Sequence, residues 1–322
     1  MEQFWNFLDP PDQSLIYRRK EIGDMRFGET VETRREKFGE VFKAVLVGFP
    51  YDEGTTRNLG RAGSSAAPGE IRKAFYRLTP TKSAALPDAE FRIFDAGDIK
   101  KYLNLEDALT KLEGIVSLLF RYGYTPIVLG GSNDLSYADF HACDSARGRC
   151  GAINIDSHLD VRDYSHGINS GTPYRMLIDE KVLRGGDFVE YGIQEFANSR
   201  EHLSFVRASG AQVYTLTQIR SQKNAETFMQ AYRAATSEAG NTYVSFDIDS
   251  VRSSDAPGVS APMPTGLTPE EILECAYLAG SEARTAMIDI CEVNPQFDVD
   301  GHTSKLAAMI IANFLAGLSN RS

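Results

Sequence analysis

The sequence predicts an α/β fold, a single three-layer α/β/α domain built on a mostly parallel sheet. Short apolar segments rich in Val, Ile and Leu alternate along the chain with longer amphipathic segments. Apolar runs without polar alternation are typical of central parallel strands that helices cover on both faces. No linker-like change in composition divides the pattern, so we expect the 322 residues to contain one large domain.

The first half of the domain starts with the β-branched run VFKAVLVG, which Gly48 and a proline terminate as they would a strand. A long polar loop follows, and a helix is expected to begin near Pro68. Residues Leu109, Leu112 and Ile115 recur at helical spacing, which buries one face of a second helix. These patterns predict strands over residues 41–48, 91–99 and 125–129 and a helix over 105–122.

The second half repeats the alternation, with apolar runs that each precede a helical pattern. A polar loop over residues 161–172 follows the first of these strands, and a long glycine and proline loop follows residue 249. We predict strands over residues 151–156, 188–193, 212–216, 242–246 and 285–290, and helices over 173–180, 199–209, 224–238, 269–280 and 304–318.

Residues 1–40 differ from the rest of the chain because they are polar, charged and proline-containing. Pro10 and Pro11 are adjacent, and a mixed-charge run extends from Arg18 to Lys37. We expect an extension that lies over the domain or against a neighbouring subunit, and a main domain over residues 41–322.

Composition narrows the possible partners. Lys and Arg total 34 against 44 Asp and Glu, a net charge of −10, which argues against nucleic acid. No apolar run approaches the roughly 18 residues of a membrane span, and the first residues lack the basic and apolar regions of a secretory signal. We therefore expect a cytoplasmic protein with a small-molecule substrate. The four cysteines are too sparse for a disulfide scaffold, although Cys143 and Cys150 could approach each other.

Polar clusters stand at the predicted carboxyl ends of several apolar strands. Asp156, His158 and Asp160 alternate after one strand, Asp247 and Asp249 follow another, and Glu292 follows a third. Residues 132–134, Ser-Asn-Asp, follow a fourth. Ligands of open α/β sheets bind at this edge, so we expect these side chains to meet there.

The chemistry of this set favours a divalent metal. Carboxylate oxygens and an imidazole together suit borderline cations such as manganese, iron, nickel or zinc. Few Lys or Arg residues occur in these segments to compensate the carboxylates, and buried unpaired charges are costly. The competing interpretation is that the acidic residues only cap the helices that follow.

The loop over residues 49–69 carries Arg57, Asn58 and Arg61 among several glycines. A guanidinium matches the planar geometry of a carboxylate, so this loop could bind an acidic substrate. It could equally be an ordinary solvated loop.

Several motifs resemble the arginase-type ureohydrolases, whose members share a binuclear manganese site on this fold. They are IDSHLDVR, SFDIDSV followed by APGVSAPMPTGLTPEE, and DICEVNP, together with PYDEGTTRNLGRAGSSAAPGEIR and FDAGDI. They extend from about residue 45 to the carboxyl terminus. The segments SGTPYR, DVR and YGIQEFANS are most similar to formimidoylglutamases, since arginases and agmatinases generally have a histidine at the position of Ser170.

The resemblance implies a metal-dependent hydrolase of a C–N bond in a formimino or guanidino compound. The implied reaction converts N-formimino-L-glutamate to L-glutamate and formamide, as part of histidine metabolism. Another amidinohydrolase activity, on agmatine or a guanidino acid, is the alternative. The family also implies a homo-oligomer.

Site residues follow from the same resemblance. Asp156 and Asp247 would bridge two Mn²⁺ ions, and His158 and Asp249 would complete one of them. Asp160 would bind the other and manage the proton, and Glu292 would hold the cationic nitrogen group of the substrate. The candidates for binding substrate carboxylates are Arg61, Arg162, Ser170 and Arg175.

One position departs from the family pattern, because Asn133 stands where the second metal has a histidine ligand. An amide oxygen is a weaker ligand than imidazole for these metals. The site could hold two metals, with Asn133 as a ligand or with Asp134 in its place, or it could hold one. A non-catalytic, metal-depleted protein is the third possibility.

Overall fold

A sheet of ten strands forms the centre of the protein in the computed structural model, which describes residues 2–80, 92–101 and 103–321. The strands of the described chain are β1 Leu8–Asp9, β2 Val31–Glu32, β3 Ala44–Phe49, β4 Ile93–Ile99, β5 Thr125–Gly130, β6 Cys150–Ile155, β7 Phe188–Ile193, β8 Gln212–Thr215, β9 Asn241–Asp247 and β10 Thr285–Cys291. Their spatial order is β1-β4-β3-β5-β10-β9-β6-β7-β8, with β2 also paired to β4. Only β1 pairs antiparallel among these strands. The predicted α/β fold is therefore confirmed.

Helices cover both faces of this sheet. They are α1 Glu2–Trp5, α2 Phe27–Thr30, α3 Glu53–Arg57, α4 Ala67–Phe75, α5 Leu105–Arg121, α6 Leu135–Arg147, α7 Pro173–Asp179, α8 Arg200–Ser209, α9 Leu216–Arg220, α10 Asn224–Ala235, α11 Pro269–Ser281 and α12 His302–Ser319. Side-chain caps determine where several of these helices begin. The Asn104 side chain accepts from the Asp107 amide ahead of α5, and Thr268 forms a capping box with Glu271 ahead of α11.

Two apolar cores lie on opposite faces of the sheet. On β3, Val45 and Val47 belong to one core and Ala44 and Leu46 to the other, as the alternation of side chains along a strand requires. The first core includes α5 and α6, and the second includes α4, α10, α11 and α12. Every residue of β3, β5, β6, β7 and β10 is buried. The continuous apolar runs in the sequence follow from this double coverage.

The first 40 residues add strands to one side of the sheet. Leu8 pairs with Ile99 in antiparallel register, and Val31 pairs with Ile93 in parallel register. Phe27 is completely buried. This segment therefore packs into the described core; its separation from the main domain at residue 40 stays a prediction.

A buried ion pair joins α4 to β4. Arg72 Nε lies 2.7 Å from Asp95 Oδ2, and Arg72 Nη1 lies 2.5 Å from Asp98 Oδ1. Tyr76 donates its hydroxyl to Asp95 Oδ2 at 2.6 Å. The Arg72 and Asp95 side chains are 2% and 0% exposed, so each depends on the other for compensation of its charge.

The structure differs from the predicted elements in a few places. Helix α6 was not predicted, because buried Ser136 and Asp139 interrupt the apolar face that marks a helix. Leu216 begins α9 and does not end β8, since Thr215 forms a capping box with Gln218. Strand β3 begins at Ala44, and residue 91 of the predicted strand 91–99 lies outside the described residues.

Two of the four cysteines are close neighbours. Cys143 of α6 and Cys150 of β6 are both buried, and their Sγ atoms lie 2.7 Å apart as free thiols. The approach that the sequence left open therefore occurs.

Among the described residues, no helix is both long enough and apolar enough to cross a membrane.

Candidate metal centre

Four adjacent strands deliver the polar clusters to one edge of the sheet. Strands β5, β10, β9 and β6 are neighbours in that order, and all run parallel. Their carboxyl ends lead respectively into Asn133, Glu292, Asp247 and Asp156. Sequence-distant residues therefore meet because parallel strands end at the same edge.

Local hydrogen bonds shape the two acidic loops. Asp156 Oδ1 accepts from the amide of His158 at 2.8 Å, and Asp247 Oδ1 accepts from the amide of Asp249 at 3.0 Å. Short turns of this kind direct alternate side chains to the same point. Asp160 has a φ of 44°, a left-handed conformation uncommon in residues other than glycine.

Two groups of three potential ligands result. One consists of Asp156, His158 and Asp249, and the other of Asp156, Asp160 and Asp247. Within each group the ligand atoms all lie within 4.8 Å of one another. Because Asp156 belongs to both groups, the arrangement provides adjacent positions for two cations.

The electrostatics of the centre indicate a missing positive charge. Burial raises the pKa of Asp249 to about 6 and raises the pKa values of Asp160 and Asp247 well above their usual range. The charge of Asp249 raises the pKa of His158. The Nδ1 atom of His158 lies 3.4 Å from Asp156 Oδ1 and 3.3 Å from Asp249 Oδ2. Asp249 Oδ1 is buried without a hydrogen-bond partner among the described residues. Oxygen and imidazole donors with uncompensated charge fit divalent metals.

Asn133 faces this centre with the nitrogen of its amide. Its Nδ2 donates to Asp160 Oδ2 at 2.5 Å, while its Oδ1 accepts from Ser136 Oγ at 2.6 Å and from Cys291 Sγ at 3.4 Å. In this orientation the side chain supports Asp160 by a hydrogen bond, and its oxygen is occupied by protein donors.

Asp134 occupies a different position from the metal ligands. A Cβ atom on Gly54 would lie 1.8 Å from Asp134 Oδ1 and 2.8 Å from Ser132 Oγ, so the carboxyl group packs directly beneath Gly54. Neither ligand group includes Asp134. Burial raises its pKa to about 7.

Glu292 stands beside the two groups. Its Oε1 accepts from Thr55 Oγ1 at 3.1 Å and from the amide of Asn133 at 2.9 Å. Burial raises its pKa to about 7. The residue adopts a φ of 62° directly after β10, so its backbone conformation is strained in the manner of many functional positions.

A cavity of about 450 Å³ opens over these residues. His158, Asp160, Asp247, Asp249 and Glu292 form its acidic floor. The wall of the cavity includes Thr55, Asn58, Arg162, Ser170, Asn198 and His202. The lining of the cavity therefore combines acidic groups with hydrogen-bond donors.

Two of the predicted carboxylate-binding residues lie on this wall. The amide Nδ2 of Asn58 donates to Ser170 Oγ at 3.0 Å. A Cβ atom on Gly171 would lie 2.9 Å from both Arg162 Nε and Asn58 Nδ2, so this glycine lets the two donors approach. The Arg162 side chain forms no ion pair with any described residue, and its guanidinium is available to a ligand.

The other two candidates are engaged elsewhere. Arg61 donates to the carbonyl oxygens of Val259 and Ser260, and its guanidinium stacks 3.8 Å from the ring centroid of Phe297. Arg175 pairs with Asp179 at 2.7 Å and stacks on Phe205. The structure does not bring Arg61 or Arg175 to the cavity wall.

Sequence reasoning assigned no site role to several residues of the centre. Thr55 and Asn58 belong to the loop over residues 49–69, of which only the arginines were considered as substrate-binding groups, and His202 lies in the first turn of α8, where no pattern marks it. The sequence did carry a signal for Asn154, because it is a polar residue inside an apolar strand. It donates to Asp156 Oδ2 at 3.3 Å and to Glu190 Oε2 at 3.1 Å beneath the centre.

Fold and centre together define a three-layer α/β/α protein with an acidic ligand site at the carboxyl edge of its sheet. The model of the arginase family matches residues 42–317. The chain belongs to the arginase family.

Individual relatives agree with this assignment. The chain is 33% identical to a formimidoylglutamase of Geobacillus thermodenitrificans over 269 residues, 82% of this chain and 81% of that one. It is 34% identical to a formimidoylglutamase of Hahella chejuensis over 289 residues, 85% and 84% of the two chains.

Solved structures are similar over most of the fold. A Trypanosoma cruzi formiminoglutamase with Mn²⁺ superposes with a TM-score of 0.86 at 36% identity, covering 93% of this chain and all of that one. The Bacillus subtilis formimidoylglutamase gives a TM-score of 0.87 at 27% identity, with 95% of each chain covered.

Proposed function

We propose that this protein is a manganese-dependent hydrolase that converts N-formimino-L-glutamate and water to L-glutamate and formamide. The observation that carries the proposal is the cavity itself, whose lining combines acidic groups with the guanidinium of Arg162. Such a cavity suits a molecule with an amidine at one end and carboxylates at the other. Formimidoylglutamases among the relatives support this choice of substrate.

Two Mn²⁺ ions are proposed for the centre, since the ligand groups are separate but share Asp156. Asp156, His158 and Asp249 would hold one ion, and Asp156, Asp160 and Asp247 the other, with Asp247 shared between them as well. A pair of bound metals supplies Lewis acidity and lowers the pKa of water towards neutrality. The T. cruzi relative was solved with Mn²⁺, which supports the choice of metal.

Glu292 is proposed to hold the cationic amidine. Its carboxylate already accepts hydrogen bonds from Thr55 and from the Asn133 amide, which fixes its direction. An ionised carboxylate in a buried site binds an amidinium strongly, because the local dielectric is low. The contact would align the reacting carbon over the acidic floor.

Asp160 is proposed to manage the proton of the reaction. Asn133 Nδ2 donates a hydrogen bond to Asp160 Oδ2. We therefore propose that Asn133 positions Asp160 and does not bind the metal through its amide oxygen. A carboxylate in this position can accept a proton from water and deliver it to a leaving group. The proton would pass to the departing amino group of glutamate.

Arg162 and Ser170 remain as the proposed carboxylate-binding residues of the original four. Arg61 and Arg175 are instead proposed to be structural, because their guanidinium groups already have protein partners. In this assignment, only residues of the cavity wall bind the carboxylates of the substrate.

The location, the assembly and the metabolic role of the protein are also proposals. We propose a cytoplasmic homo-oligomer that acts in histidine breakdown. The substrate proposed above is the support for this setting, and residues 41–322 are proposed as the catalytic domain with residues 1–40 as its extension.

The decisive experiment measures products. Manganese-loaded protein is expected to release equimolar L-glutamate and formamide from N-formimino-L-glutamate, and the Asp249→Asn variant is expected to be nearly inactive. Two Mn²⁺ per chain by elemental analysis are expected in the active protein. Absence of turnover in fully loaded protein would refute the proposal.

A second candidate is an amidinohydrolase of guanidino compounds. The proclavaminate amidino hydrolase of Streptomyces clavuligerus superposes with a TM-score of 0.75 at 27% identity, covering 87% of this chain and 92% of that one. The two activities differ in product, because a guanidino substrate releases urea. Urea from agmatine or guanidinobutyrate, without formamide from formiminoglutamate, would favour this candidate.

A further inference from the structure

His202 lies on the same cavity wall as Arg162 but belongs to a different part of the chain. Arg162 follows the acidic loop after β6, whereas His202 lies in the first turn of α8. The imidazole is partly buried, and the positive charge of Arg162 contributes to lowering its pKa after desolvation. The two side chains are therefore electrostatic neighbours in the lining of the cavity.

Hydrogen bonds tie the start of α8 to the metal-binding loop. Ser199 caps the helix by accepting from the amide of His202 at 3.1 Å. Asn198 Nδ2 donates to the carbonyl oxygen of Ser157 at 2.8 Å, and Asn198 Oδ1 accepts from the amide of Leu159 at 2.9 Å. Ser157 and Leu159 flank His158, so Asn198, just before α8, links the start of this helix to the loop that carries His158.

A second contact holds the same face of α8. Arg175 of α7 lies with its Cζ 3.9 Å from the ring centroid of Phe205. Phe205 follows His202 by three residues, and residues at this spacing lie on one side of a helix. Arg175 therefore helps to fix the helix face that carries His202, although Arg175 itself does not line the cavity.

The charges around His202 indicate what it would bind. Burial lowers the pKa of His202, and the positive charge of Arg162 lowers it further, so a cationic group lies near the imidazole. It also stands at the amino end of a ten-residue helix, where the dipole favours anions. A carboxylate fits this position, and a cationic tail would be repelled by Arg162.

We propose that His202 is a specificity residue that binds, together with Arg162, the side-chain carboxylate of the substrate, the one distant from the amidine. The reaction itself rests on the proposed function, but the assignment of His202 goes beyond it. His202 donates a hydrogen bond to one carboxylate oxygen while Arg162 supplies the charge at the other. The enzyme thereby selects a dicarboxylate over a substrate of the same shape with a neutral end.

Two substrates and two variants test the assignment. N-formimino-L-glutamate is compared with N-formimino-L-glutamine, which replaces the distant carboxylate by a neutral amide. His202→Gln removes the imidazole, and His166→Gln is the matched control, because His166 is exposed and does not line the cavity. Melting temperatures of both variants establish that the fold is retained.

His202→Gln is expected to raise KM for the glutamate substrate roughly tenfold, as loss of a hydrogen bond to a charged group predicts. Its kcat is expected to stay within about twofold, and its KM for the glutamine substrate within about threefold, because that substrate lacks the charge. His166→Gln is expected to match the wild-type protein. An equal rise in KM for both substrates, or no rise for either, overturns the assignment.

Failure of the proposed function has a different signature. In that case the wild-type protein produces no formamide from either substrate, whatever residue stands at position 202. Binding of the product L-glutamate, measured by calorimetry, then still tests His202: weaker binding in His202→Gln than in His166→Gln supports the carboxylate subsite, and equal binding refutes it.

Discussion

The side chain of Asn133 is held at both ends of its amide group. Its amide nitrogen donates to Asp160, and its amide oxygen accepts from Ser136 and Cys291. The hydrogen bonds on the two ends of the amide fix its orientation. The group of Asp156, Asp160 and Asp247 has carboxylates alone, so we expect it to be the weaker of the two metal sites.

Asn133→His is expected to strengthen metal binding in that half, because imidazole is a better ligand than an amide for first-row divalent metals. We expect Mn²⁺ to bind the weaker site about tenfold more tightly or better. Calorimetric titration of metal-free protein measures this affinity, and Asn313→His on α12 is the control. An unchanged affinity would mean that another residue already completes the site.

Glu292→Gln removes a buried negative charge but keeps the shape of the side chain. We expect kcat/KM to fall by about a hundredfold or more, since electrostatic contacts of this kind act in a site of low dielectric. The variant without metal is expected to melt at a higher temperature than the metal-free wild-type protein, because burial raises the pKa of Glu292 and opposes its charge. Steady-state kinetics and thermal melting check both expectations. Glu226→Gln, an exposed position on α10, is expected to change neither.

Single residues divide into those that sequence reasoning reached and those that it did not. The sequence predicted that Asp156, His158 and Asp249 lie together, because ligand chemistry and the ends of apolar strands both mark them, and the structure groups them; their role as metal ligands stays a prediction. Arg61 was not separable from Arg162, since only the fold reveals that Phe297 and two carbonyl oxygens engage Arg61. Exposure and partners of a long side chain are tertiary properties.

Among the elements, α4 and β4 depend on one buried interaction. Arg72→Met leaves Asp95 buried without its cation, although Tyr76 still donates to Asp95. We expect the free energy of unfolding to fall by about 3–5 kcal/mol. The double variant Arg72→Met/Asp95→Asn is expected to recover much of this loss, because the unpaired charge is gone. Denaturant unfolding measures both, and an equal loss in the single and double variants would contradict this explanation.

Elements with apolar periodicity were predictable, and those whose inner face is polar were not. Helix α5 was found because its apolar residues follow one stripe. Helix α6 was missed because Ser136 and Asp139 point into the buried polar region under the centre. A helix that serves a functional site can lose the pattern by which helices are recognised.

The charge of the whole centre governs stability against pH. Burial raises the pKa of Asp249 to about 6 and those of Asp134 and Glu292 to about 7. Between about pH 4 and pH 7 the native protein therefore binds more protons than the unfolded chain, and stability falls as pH rises through this range. Metal binding opposes the fall by compensating the carboxylates.

Metal-free protein is accordingly expected to lose roughly several degrees of melting temperature between pH 5.5 and pH 8. Added Mn²⁺ is expected to raise the melting temperature more at pH 8 than at pH 5.5. Calorimetric melting with chelator or with Mn²⁺ measures the difference, and Asp249→Asn should respond less to the metal. A melting temperature that rises with pH in chelator would contradict the expected proton balance.

At the scale of the molecule, the order of strands was the property least visible in the sequence. Alternating strands and helices predict a parallel sheet, and the rule for ligand position then predicts a common edge. They do not predict that β5, β10, β9 and β6 are neighbours. That order depends on how the helices pack between strands that are distant in sequence.

The central position of these four strands has a consequence for how the protein opens. Backbone amides in the middle of a sheet exchange their hydrogens with solvent only when large parts of the structure unfold, whereas edge strands open locally. We expect β1 and β8 to exchange early on warming, and β9 and β10 to exchange last. The ligand geometry would then persist after the margins of the sheet have frayed, so metal affinity would disappear only with the final cooperative transition.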